Sequence, residues 1–194
     1  MSEARNLGVS LCETPYFVLL DGHMRFYDLD WDEMLVNYLN KEPNAIYCSN
    51  GATIYKTGDY FYSSEHKFPA ATLGGHLDFH AFNEFNVVWS FKALDKNSDI
   101  TRIPAVFGAC YASSVKHWNH IGGLSGLVKY GYDEALMSVK TWLTGGKCYL
   151  IKNFYVGHLY RTTAPYYVDN IHMKANQIFL SYLFDYEITP IDAV

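Results

Sequence analysis

The sequence predicts an α/β fold, a mixed and mostly parallel sheet flanked by helices. Two short continuous apolar runs, residues 16–20 (Tyr-Phe-Val-Leu-Leu) and 105–111 (Ala-Val-Phe-Gly-Ala-Cys-Tyr), read as strands buried on both faces. Stretches with the 3.6-residue period of amphipathic helices alternate with such runs, the pattern of layered α/β domains. Apolar residues make up 49% of the 194 and charged residues 18%, enough for a packed core and against disorder. With no repeat, linker or low-complexity tract, residues 1–194 read as one domain.

Taken in order, the first strand, 16–20, ends abruptly at Asp21-Gly22-His23. Asp30-x-x-Glu33 is a carboxylate variant of the capping box. It opens a helix that carries Trp31, Met34, Leu35, Tyr38 and Leu39 on one face, and Lys41 and Pro43 stop it. Residues 45–48, 53–56 and 85–93 have strand character. Between them an aromatic and polar segment, 60–82, holds His66, His76 and His80 and takes no assignment. After the run at 105–111, Ser113 or Ser114 caps a short helix through Trp118 that Gly122-Gly123 ends. A further helix runs from Asp133 to Leu143 with Leu136, Val139, Trp142 and Leu143 inward, closed by Gly145-Gly146. Residues 148–151 and 155–160 follow as strands. Asn170 caps a last helix whose apolar side is Ile171, Ala175, Ile178, Phe179, Tyr182 and Leu183.

A net charge of −5 without any run of like charges argues against a nucleic-acid binder. No apolar run reaches the length of a membrane span, and the N-terminus lacks a signal-peptide pattern. Cys12, Cys48, Cys110 and Cys148 are far apart and show no C-x-x-C spacing. They read as reduced thiols, which points to a cytoplasmic setting. Seventeen tyrosines bring apolar bodies with polar tips, a composition suited to a cleft for a polar organic ligand.

Asp21-x-His23 stands where a buried strand ends, the place where open α/β sheets bind ligands. One oxygen and one nitrogen ligand suit Mn²⁺, Mg²⁺ or Zn²⁺, although a turn aspartate beside a surface histidine is the plainer reading of D-x-H alone. His158 lies in the apolar run Val156-Gly157-His158-Leu159-Tyr160-Arg161, where a structural histidine is again the plainer reading. Arg161 offers a planar fork to phosphate or carboxylate. Asp133 and Glu134 fall at a helix start. The dipole alone favours acids there, but a carboxylate so placed can also take a hydrogen bond or proton from a hydroxyl. His76-x-x-x-His80 has metal-ligand spacing but no glutamate between.

In sequence, these pieces resemble one family. Ala4-Arg5-Asn6-Leu7-Gly8 and Phe17-Val18-Leu19-Leu20-Asp21-Gly22-His23-Met24 resemble the approach to the metal motif of family 2 glycosyltransferases. The D-x-H form is similar to that of the polypeptide N-acetylgalactosaminyltransferases and their bacterial relatives. Pro104 to Gly108, continuing to His120-Ile121-Gly122-Gly123, resembles their next strand–helix–Gly-Gly segment. Tyr130-Gly131-Tyr132-Asp133-Glu134 with Ser138, Lys140, Trp142 and Gly145-Gly146 is similar to their "W-G-x-E-[ND]…S-x-R-x-W-x-x-G-G" block. Val156-Gly157-His158-Leu159-Tyr160-Arg161 with Pro165-Tyr166 resembles "V-G-H-x-x-R…P-Y".

The resemblance covers about two-thirds of the chain and implies a nucleotide-diphospho-sugar transferase (A-type) fold. It implies a metal-dependent transfer of sugar from a nucleotide-diphosphate sugar, such as a UDP-sugar, to a saccharide or other hydroxyl acceptor. Asp21, His23 and His158 would hold Mn²⁺ or Mg²⁺, Arg5 would lie near the nucleotide and Arg161 close to its phosphates, and Asp133 and Glu134 would face sugar or acceptor. The acidic pair runs Asp then Glu, the reverse of the family's order. The resemblance also implies the carboxyl-side part of a longer catalytic domain, lacking the N-terminal nucleotide-binding units, with exposed sheet edges that invite self-association. The competing expectation is a non-catalytic carbohydrate-binding or assembly module derived from such an enzyme.

Overall fold

The structure, a computed structural model, describes residues 1–57, 60–63, 75–78, 85–89, 98–108, 110–159 and 169–185. His66, His80, Arg161, Pro165 and Tyr166 lie outside the described residues.

The elements in order are α1 (Ser2–Ser10), β1 (Tyr16–Leu20), β2 (Met24–Phe26), α2 (Trp31–Lys41), β3 (Ala45–Thr57), β4 (Tyr60–Ser63), β5 (Gly75–Asp78) and β6 (Asn86–Trp89). They continue with β7 (Ile100–Arg102), β8 (Cys110–Ser114), α3 (Val115–His120), α4 (Asp133–Leu143), β9 (Lys147–His158) and α5 (Asn170–Leu183). The main sheet has the order β1-β8-β3-β9-β2, with β4 added to β3 and β7 to β9, while β5 and β6 form a separate two-stranded antiparallel sheet.

The sheet is mixed, as expected, but its balance differs from a mostly parallel one. β1, β3 and β9 run in the same direction, yet β8 lies antiparallel between β1 and β3. Among the described residues only β3 and β9 are therefore parallel hydrogen-bonded neighbours. β2 and β7 both pair antiparallel with β9.

Strict alternation along the central strands feeds two cores. Ile46, Cys48, Tyr111, Cys148 and Leu150 point to one side, where Val9, Trp118, Leu136, Met137 and Leu180 meet them from the helices and loops. Ala45, Tyr47, Cys110 and Ala112 point to the other, covered by Leu35 and Leu39 of α2. This is the period-2 pleat of a sheet covered on both faces. β1 follows the same alternation, but it ends the sheet path and only Phe17 is buried, while Leu20 is 41% exposed.

The helix boundaries follow their local signals. α2 spans the anticipated residues with Asp30 at its N-cap, though the Asp30 side chain makes no cap hydrogen bond. Ser114 caps α3, its hydroxyl accepting from the His117 amide at 3.0 Å. α4 covers the expected Asp133–Leu143, but Leu143 is 70% exposed and Met137, Ser138 and Thr141 are buried instead. Asp169, not Asn170, caps α5 by accepting from the Ile171 amide at 2.9 Å.

Several strands differ from expectation. The pieces at 45–48 and 53–56 join into β3, and those at 148–151 and 155–160 join through His158 into β9. A register shift at Ser49/Asn50 separates the halves, where Ile151 and Tyr155 face successive β3 residues. Such a bulge breaks the alternation that sequence reading relies on. Within the run at 105–111 residues 106–108 are not in a strand, Cys110 and Tyr111 belong to β8, and Ala105 makes a single bridge to Gly75.

Candidate functional site

Asp21 and His23 follow the carboxyl end of β1, at the edge of the sheet where β9 also ends. The turn between β1 and β2 carries the chain across that edge. Pairing of β2 with β9 then sets Met24 opposite His158, and the Leu159 amide donates to His23 O at 3.3 Å. The His23 and His158 rings lie 4.6 Å apart between centroids. His158 Nε2 is 3.7 Å from Asp21 Oδ2. One ligand atom from each of Asp21, His23 and His158 falls within 4.8 Å of the other two. Two imidazoles and a carboxylate form a donor set that fits a first-row divalent cation, and the half-buried positions leave solvent access. The contact with His158 holds the Asp21 carboxyl below its ordinary range. Burial works the other way, and the Arg5 guanidinium adds to the lowering.

Arg5, on α1, joins this corner to a second one. Its Nη2 donates to Asp21 Oδ1 at 3.3 Å and its Nη1 to Asp133 Oδ2 at 2.6 Å. Its guanidinium also lies 5.4 Å from the centre of the Tyr111 ring. Burial opposes the Arg5 charge, but Tyr111, Asp133, Glu134 and Asp21 outweigh it and raise its pKa. Asp133 also accepts from Ser2 Oγ at 3.1 Å. Burial pushes its carboxyl up, while Arg5 and Ser2 oppose that shift. Glu134 accepts from the Tyr111 hydroxyl at 3.1 Å. Its pKa is raised, first by burial and then by Asp133. A Cβ at position 108 would collide with Glu134 Oε1, so Gly108 makes the room the longer acid needs.

Both corners border one cavity of about 320 Å³, lined by Arg5, Asp21, Asp133, Glu134 and His158 together with residues 85–87, 107–108 and 130–132. The site thus offers a carboxylate–imidazole cluster of a kind able to ligate a cation, a fixed guanidinium and two carboxyls around a space for a polar molecule.

Of the sequence-predicted site residues, the structure gathers Arg5, Asp21, His23, Asp133, Glu134 and His158 at this edge. Arg161 falls outside the described residues. His76 is exposed on β5, a strand, so the helical spacing with His80 has no helix to act on there. Sequence reading passes over Ser2 and Tyr111. Tyr111 is absorbed into a buried apolar run, and the signal available is its hydroxyl, which once buried needs a partner.

A model of the family described as "Glycosyl transferase family 2" matches residues 1–103, just over half of the chain. Polypeptide N-acetylgalactosaminyltransferase 12 of Mus musculus is 25% identical over 167 residues, 84% of this chain and 28% of its own length. Polypeptide N-acetylgalactosaminyltransferase 5 of Caenorhabditis elegans is 24% identical over 170 residues, covering 84% of this chain and 26% of its own length. This chain therefore spans under a third of the relatives it matches. Among solved structures, GalNAc-T7 with UDP, GalNAc and Mn²⁺ is similar at a TM-score of 0.66 and 21% identity, over 83% of this chain and 30% of that one. That similarity is one of fold.

Proposed function

We propose a function from one premise: this chain belongs to glycosyl transferase family 2. It transfers a sugar from a nucleoside-diphosphate sugar to an acceptor hydroxyl. Asp21, His23 and His158 hold a divalent cation, Mn²⁺ or Mg²⁺. The observation that carries this reading is the convergence of their ligand atoms within 4.8 Å, two of the three residues, Asp21 and His158, lining the cavity that Arg5, Asp133 and Glu134 also line.

A cation bound there supplies a Lewis acid for the negative charge left on the diphosphate when the glycosidic bond breaks. Arg5, kept protonated by its acidic neighbours, adds a second positive charge beside that position. Asp133, fixed by Arg5 and Ser2, orients sugar or acceptor hydroxyls by accepting their hydrogen bonds. Glu134, its pKa raised, holds or exchanges a proton at its carboxyl group more readily than an exposed glutamate. Arg161 stands as a further phosphate contact on sequence grounds alone. The relatives named above support UDP as the nucleotide to try first.

The test is calorimetric titration of Mn²⁺ and then UDP into the purified chain. Metal-dependent UDP binding is expected, with at least a 100-fold loss of Mn²⁺ affinity in Asp21→Ala and His158→Ala. Absence of both Mn²⁺ and UDP binding at millimolar levels would overturn the reading. Glycan binding that survives chelation and both substitutions would point to a carbohydrate-binding module instead.

A further inference from the structure

The acidic pair at the cavity starts α4, and the chain reaches it through an unusual turn. Within four residues, Lys129, Gly131 and Tyr132 all adopt left-handed backbone, with φ of 53°, 101° and 69°. Only glycine takes that region without strain, so Lys129 and Tyr132 are held there by their surroundings. The Ser2 amide donates to Lys129 O at 3.2 Å from one side. From the other side comes Asn176, a fully buried polar residue in the middle of α5.

Asn176 uses its whole amide on this turn. Its Oδ1 accepts from the Val128 amide at 2.8 Å. Its Nδ2 donates to Val128 O at 3.0 Å, Tyr130 O at 3.2 Å and Gly131 O at 3.1 Å. Two N–H groups shared among three carbonyls, with the Oδ1 taking one amide, tie the part-buried backbone of this turn to α5. Nearby, a Cβ at position 131 would fall 3.5 Å from Met173 of the same helix, ordinary contact. α5 therefore follows this turn closely.

We propose that Asn176 is a positioning residue for the acidic pair. By fixing residues 128–131 it sets the left-handed Tyr132 from which Asp133 and Glu134 enter the cavity. Asn176 touches neither carboxyl and acts only through the turn. The role in donor recognition rests on the glycosyltransferase reading, whereas the clamp itself does not.

The test uses the full chain with Asn176→Asp, Asn176→Leu and, as a control on the buried face of the same helix, Ser181→Ala. Asp keeps the acceptor but turns an oxygen toward three carbonyls, and Leu keeps the volume without any of the four bonds. Amide hydrogen exchange at residues 128–135 is expected to quicken at least tenfold in both Asn176 variants. Exchange in β3 and β9 should not change, and Ser181→Ala should alter neither region. With Mn²⁺ present, the affinity for UDP-N-acetylgalactosamine relative to UDP is expected to fall at least fivefold in Asn176→Asp, with Mn²⁺ affinity within twofold of wild type. If Asn176→Leu fails to fold, Asn176→Asp decides. Unchanged exchange at 128–135 in a folded Asn176 variant overturns the clamp. Faster exchange with an unchanged affinity ratio overturns the positioning role. If wild type binds neither Mn²⁺ nor UDP, the glycosyltransferase reading fails and exchange alone decides the clamp.

Discussion

The metal corner and the acidic corner border the same cavity, yet they are held in different ways. At the first, Asp21 and His158 have side chains 30% and 15% exposed, and they sit where strands end. At the second, the Asp133 side chain is 4% exposed, bound by Arg5 and Ser2, and Glu134 is tied to Tyr111. The first corner is the more open of the two, its carboxylate facing Arg5 and His158 across longer contacts. The second already spends its charge on neighbours, so removing one partner strands a charge that the fold has taken out of water. Arg5 belongs to both, and the difference predicts that substitutions in the two corners separate binding from folding.

The largest effect is expected at Arg5. Arg5→Met leaves the Asp133 carboxylate buried without its cation and should lower the unfolding free energy by about 3 kcal/mol in urea denaturation. A loss well below 1 kcal/mol would mean that Asp133 is relieved by water or a proton, and the contrast between the corners would weaken. Asp21→Asn provides the other side of the comparison. It should abolish Mn²⁺ binding while changing stability by no more than about 1 kcal/mol, as for a part-exposed ion pair.

Next comes Tyr111→Phe. Removing the hydroxyl leaves the half-buried Glu134 carboxyl one donor short, a cost of about 1 kcal/mol. It should also raise the Glu134 pKa further, as read by carboxyl NMR titration. An unchanged titration would show that the bond from Tyr111 does not help hold the charge.

The smallest effect is a pH dependence. Glu134 ionises above its ordinary value of 4.5 in the folded chain. Below pH 4.5 the carboxyl is protonated in both folded and unfolded chains and its contribution is intact. As pH rises through the folded pKa, the unfolded chain ionises more readily and stability is lost. The stability advantage of Glu134→Gln over wild type should therefore grow as pH rises above about 4.5. Taking the difference cancels His117, which burial, with a lesser push from His120, depresses from 6.5 to about 4 and which destabilises both proteins as pH falls. An advantage that shrank with rising pH would reverse the assignment of Glu134 as a half-buried, reluctantly ionised acid.

Legibility in the sequence follows the range of each signal. α2, α3 and α4 are placed closely because caps, glycine stops and apolar spacing act within a few residues of one another. The residues of the metal corner are visible as D-x-H and as a histidine in an apolar run, but neither motif carries the pairing of β2 with β9 that brings them together. Tyr111 stays hidden because a buried strand residue and a site residue have the same local pattern. β9 reads as two strands because its bulge interrupts the alternation while hydrogen bonding to β3 continues beyond it.

What the sequence determined by itself was therefore local: the α/β class, most helix limits, and which residue types could bind a cation or exchange a proton. The tertiary structure decided direction and facing. Periodicity alone assigns Ile171, Ile178, Tyr182 and Leu183 to the inner face of α5, yet these are 77%, 52%, 91% and 43% exposed, while Asn176, Gln177, Leu180 and Ser181 are buried. Apolar burial is non-directional and tolerates a rotated helix. Hydrogen bonds require partners at defined angles and distances, and this orientation of α5 brings the buried amide of Asn176 onto the turn at residues 128–131.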